Sequence, residues 1–125
     1  MELDWNRHMI KLMFSIILLF TTSIANAGLL FCEGKVDAMY VSANGDLVIL
    51  GTWRNDYTAV CSIGYDRSGV SSEVCKGWMS IAQVAKVTGE NVLVRYSDSV
   101  ASSCATLDRY ESAPAPQYMM LPKKK

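Results

Sequence analysis

Beyond His8 the 125-residue sequence contains no histidine. Once the segment that carries His8 is removed as an export signal, no imidazole remains, which excludes Ser-His-Asp and Cys-His catalysis and histidine-ligated metals. A charge excess of either sign is also missing: 12 basic side chains face 12 acidic ones, so no electrostatic footprint for nucleic acid exists. No C-x-x-C occurs, which argues against a zinc knuckle and a dithiol redox site. Neither Ser-x-x-Lys nor G-x-S-x-G frames a nucleophile. The acidic residues are scattered singly, so no spacing predicts a glycosidase pair. No repeat or low-complexity block is visible, and a hydrophobic fraction of 50% is too high for a disordered chain. No metal site, cofactor or catalytic residue is therefore expected.

What is present begins with an address. Residues 12–24, LMFSIILLFTTSI, form an apolar run shorter than the about 20 residues of a membrane span. Ala25-Asn26-Ala27 follows, with small residues at −3 and −1 of a cut before Gly28. This pattern predicts a signal peptide over residues 1–27 and a secreted or periplasmic product. Glu2 and Asp4 offset Arg7 and Lys11, so a start at Met9 fits the signal better. Cys32 is a poor lipid site because bulky Phe31 precedes it, so no stable membrane anchor is expected. A single β-rich domain over 28–121 and a basic disordered tail over 122–125 complete the expected organisation.

All four cysteines, Cys32, Cys61, Cys75 and Cys104, follow the cut, which points to two disulfides in an oxidising compartment. Four cysteines allow three pairings. Cys61 and Cys75 bracket turn signals at Asp66 to Gly69, and Cys32 and Cys104 lie near the two ends of the domain. The favoured pairing is therefore Cys61–Cys75 with Cys32–Cys104.

Residues 35–43 and 46–51 are β-prone and joined by Asn44-Gly45, the strongest short hairpin signal. A two-residue turn there places Val41 opposite Val48 and Tyr40 opposite Ile49. A third strand starts at Tyr57, with Tyr57, Ala59, Cys61 and Ile63 on one face. Trp78, Ile81, Ala82 and Ala85 recur with helical spacing, capped by Ser71 or Ser72 and stopped by Gly89, with Val84 and Val87 widening the apolar stripe. Residues 91–97 return to a β pattern, residues 113–116 are extended by their prolines, and 117–121 form a last short strand. The order β-β-β-α-β-β suits a small five-stranded OB-like Greek-key barrel, mainly β with one helix. The alternative is an α+β sheet with one packed helix.

Two resemblances attach to these residues. A strand with Cys61, then Val74-Cys75, the helix from Trp78 and the run NVLVRYS resemble the OB-fold B subunits of AB-type bacterial toxins, especially the subtilase-cytotoxin type. That likeness implies an OB fold, a pentameric homo-oligomer and binding of host glycans. The Cys32–Cys104 pair departs from the simplest toxin pattern. Cys32-x-Gly34-Lys35-Val36, Asn44-Gly45-Asp46, Cys75-Lys76-Gly77-Trp78 and Ala115-Pro116-Gln117-Tyr118 are also similar to a group of small secreted Gram-negative bacterial proteins, which brings no activity with it.

Trp53-Arg54-Asn55-Asp56-Tyr57 is the strongest candidate for ligand contact. An indole stacks on a sugar or anchors a protein interface, and the polar neighbours supply direction. The plainer alternative is that Trp53 is core and the next three residues a solvated turn. Tyr65 and Arg67 form a second candidate, and Trp78 belongs to the core. The expectation is a non-catalytic binding module recognising a glycan or protein through its loops. An envelope accessory or inhibitor protein acting by protein–protein contact is the alternative, and a small hydrolase is the remotest.

Overall fold

The computed structural model describes residues 29–97 and 100–124. The expected export signal, its start at Met9 and Lys125 lie outside the described residues. The chain is mainly β with one helix: β1 (Leu30–Gly34), β2 (Val36–Val41), β3 (Asp46–Gly51), β4 (Asp56–Ser62), α1 (Ser72–Thr88), β5 (Val92–Tyr96) and β6 (Tyr118–Met120). A short 3-10 turn spans Cys104–Thr106. The strands pair as two three-stranded sheets, β1-β5-β6 and β2-β3-β4, instead of one closed five-stranded barrel.

Strand β1 is one more than the sequence pattern predicts. Its inward positions are Cys32 and Gly34, not branched aliphatics, so its alternation is poorly marked. Only Lys35 separates β1 from β2, and its backbone is fixed at both ends by Thr52. The Lys35 N–H donates to Thr52 Oγ1 and its carbonyl accepts from the Thr52 N–H, each at 3.0 Å.

The β2–β3 hairpin forms, with a register one residue away from that expected. Val41 faces Leu47 and Tyr40 faces Val48. The Gly45 N–H bonds to the Ser42 carbonyl and the Ser42 N–H to the Asp46 carbonyl, so the loop holds three residues, not two. Gly45 alone takes the positive φ, +91°, as a type I turn closed by a bulge requires. In β4 a second irregularity leaves Val60 as the extra residue between the Leu47–Cys61 and Val48–Ala59 pairs. Consecutive Val60 and Cys61 therefore both reach the core.

Helix α1 follows its sequence signals. Ser71 Oγ accepts the Val74 N–H at 3.2 Å, and Gly89 ends the helix at φ +70°. Cys75, Trp78, Ala82 and Ala85 face inward against both sheets, meeting Leu47, Ile49, Val92, Val94 and Tyr96 in one core. Ile81 is only half-buried, and Val84 and Val87 are exposed, so the stripe is narrower than the pattern suggests. Both disulfides form as paired above, with Cα–Cα distances of 5.7 Å for Cys32–Cys104 and 5.5 Å for Cys61–Cys75. Among the described residues no helix is long and apolar enough to cross a membrane.

Candidate binding surface

The turn between β3 and β4 sends the five neighbours Trp53 to Tyr57 in different directions. Trp53 enters the core, 9% exposed. Its ring lies so close over β3 and the end of β1 that a Cβ at Gly51 would run into the benzene half of the indole. The core alternative for Trp53 is the one this geometry fits, and its indole is not available for stacking on a ligand. Arg54 is half-buried, its Nε donating to the Leu107 carbonyl at 2.6 Å. Asn55, exposed at φ 54°, closes the turn through its N–H to Gly51.

Asp56 and Tyr57 reach an outer surface. Asp56 Oδ1 accepts the Tyr57 N–H at 2.8 Å and Oδ2 accepts from Arg109 at 3.2 Å. The Tyr57 amide first, then the guanidinium, hold this carboxyl below the usual aspartate range.

Tyr57 lies on the outer face of the β2-β3-β4 sheet between two further tyrosines. Its ring stacks on Tyr110 with centroids 5.8 Å apart and planes 17° from parallel. On the other side Tyr40 approaches to 5.7 Å at a tilt of 57°. Tyr40 and Tyr110 each keep 42% of their surface exposed. Beneath them Val48 and Ala59 are completely buried. Burial, followed by the charge of Glu111, raises the Tyr40 phenol above its ordinary pKa.

Tyr110 is placed by the long connection between β5 and β6. It sits at φ 49°, a left-handed conformation costly for a bulky side chain. Two backbone bonds hold it beside β4: its N–H to Tyr57 O at 2.8 Å and the Ala59 N–H to its own carbonyl at 3.0 Å. Tyr40, Tyr110 and Arg109 were not singled out from the sequence. Tyr40 was within reach, as an aromatic on the solvent side of an alternating strand. Tyr110 gave no signal, because its position depends on a connection without periodicity.

The remaining candidates do not join the tyrosine row. The Tyr65 hydroxyl donates to Asp46 Oδ1 at 2.6 Å. Arg67, 9% exposed, spends its guanidinium on three carbonyls: Ala59 at 3.3 Å, Glu111 at 2.7 Å and Ala113 at 3.0 Å. It joins elements instead of facing a ligand. The surface as built offers ring edges and faces, three phenol hydroxyls and a carboxylate–guanidinium pair at its rim. That inventory suits recognition by stacking and hydrogen bonding. No protein-family model matches this chain, and neither does any curated protein or solved structure.

Proposed function

We propose that the protein is a non-catalytic, secreted or periplasmic binding module that recognises a glycan through the Tyr40, Tyr57 and Tyr110 surface. The observation that carries this reading is the row of half-exposed tyrosines beside the Asp56–Arg109 pair. Tyrosine supplies a large, rigid, amphipathic contact area at low entropic cost. The strained backbone at Tyr110 is the kind of local expense that clusters at working surfaces. Two disulfides support an oxidising compartment.

The OB-like barrel belongs to the same proposal. It is supported by the single-residue step from β1 to β2 and by the isolated parallel bridge between Thr58 and Tyr110, which brings the last segment alongside β4. Counting β1 and β2 as one bent strand leaves five.

An array of neutral and acidic oligosaccharides, followed by titration of the best binder, tests the function. Tyr57→Ala and Tyr110→Ala should each weaken binding at least tenfold (about 1.4 kcal/mol) with the melting midpoint little changed. Binding that survives both substitutions overturns the assignment. A second reading, an envelope accessory or inhibitor acting by protein contact, draws on a separate aromatic face on the other sheet, that of Phe31, Arg95 and Tyr118.

A further inference from the structure

On the outer face of the β1-β5-β6 sheet, Phe31, Arg95 and Tyr118 form one cross-strand row: Phe31 pairs with Arg95 and Arg95 with Tyr118. The guanidinium carbon of Arg95 lies 5.8 Å from the centre of the Phe31 ring and 5.6 Å from that of Tyr118. The cation is thus held between two aromatic rings, one from each neighbouring strand. Its Nε is sealed and without a hydrogen-bond partner. Among the described residues its side chain makes no ion pair with a carboxylate. Glu33, on the same face, stands one row away, opposite Leu93.

A guanidinium fixed in this way has already lost much of its rotamer freedom, and the rings have removed part of its water. The terminal amino groups can then give a carboxylate two parallel charge-assisted hydrogen bonds in a fixed geometry. The surroundings match a protein interface more than a generic surface. Phe31 is 50% exposed and Met120, in the next row, 39%. Aromatic residues, methionine and arginine are the types enriched where proteins meet.

We infer that this face docks a partner protein through an acidic segment, one carboxylate seated on Arg95 and apolar neighbours resting on Phe31, Tyr118 and Met120. It is a different surface from the tyrosine row, on a different sheet, and it stands whether or not a glycan binds there. The partner is recognised by a glutamate or aspartate flanked by apolar side chains.

The test uses the oxidised protein and an array of ten-residue peptides with a central glutamate between apolar residues, each paired with its glutamine counterpart. The expected result is binding that maps by NMR shift changes to Phe31, Arg95 and Tyr118 and weakens at least tenfold in the glutamine series. Arg95→Lys, which keeps the charge and removes the fork, should also lose at least tenfold while the spectrum stays that of the folded protein. Equal binding of the glutamate and glutamine series overturns the inference, as does absence of binding throughout the array. Shift changes located elsewhere, tighter binding of free glucuronate than of any peptide, or the same shifts produced by raising protein concentration alone overturn it too.

Discussion

Tyr65 donates to the carboxylate of Asp46, a residue only 2% exposed. Losing the phenol proton would set two anions against each other, so this hydrogen bond, with some burial, raises the Tyr65 pKa above its ordinary value. Tyr40 and Tyr96 shift in the same direction, chiefly through burial. In the unfolded chain a tyrosine ionises near pH 10, before the folded one does. Above that pH the unfolded state holds fewer protons than the native state. The stability from these phenols is therefore complete below about pH 10 and lost as pH rises further. The urea midpoint should fall as pH rises above about 10, and Tyr65→Phe should flatten part of that fall. An unchanged alkaline slope in Tyr65→Phe would remove Tyr65 from the account. At this scale, legibility from sequence was uneven. Trp53 and Tyr57 are near neighbours in the chain, yet one is core and the other surface, because a tight turn re-aims each successive side chain. Tyr57 and Tyr110 touch across a long connection whose course no local pattern encodes.

Between elements, Arg67 ties together parts of the chain that are distant in sequence. It sits in a tight turn where Arg67 and Val70 exchange backbone hydrogen bonds and Ser68 and Gly69 both take positive φ. From there it reaches β4 through Ala59 and the β5–β6 connection through Glu111 and Ala113. Arg67→Met leaves three carbonyls without their donor and should cost about 3 kcal/mol or more in urea unfolding. Arg67→Lys should restore only part, because an ammonium lacks the planar fork. A loss below about 1 kcal/mol for Arg67→Met would show that water replaces the guanidinium. Elements with strong local chemistry were legible: the helix by its spacing and caps, the hairpin by Asn44-Gly45. Exact register was not, since the number of loop residues is decided by which backbone groups bond across the turn. The first strand escaped notice because a cysteine and a glycine fill its inner positions.

The whole molecule is governed by two covalent rings of different size. The bonded cysteines are 72 residues apart in Cys32–Cys104 and 14 apart in Cys61–Cys75. By loop-closure entropy the larger ring contributes about 4 kcal/mol and the smaller about 3. Both are large beside the net stability of about 5–15 kcal/mol usual for a domain. Replacing Cys32 and Cys104 together by Ala should therefore lower stability in urea more than replacing Cys61 and Cys75. The reverse order would mean that strain or residual structure outweighs chain entropy. The larger ring also sets how the molecule yields to force. Because the Cys32–Cys104 bond closes off the residues between them, tension applied from the Lys124 side first extends the stretch beyond Cys104, roughly 70 Å when straightened. That stretch carries β6 and Tyr110. A pull from there takes Tyr110 off Tyr57, and Leu107 and Met119 out of the core, while Tyr40 and Tyr57 stay inside the ring, so the proposed binding surface breaks before the ring itself opens.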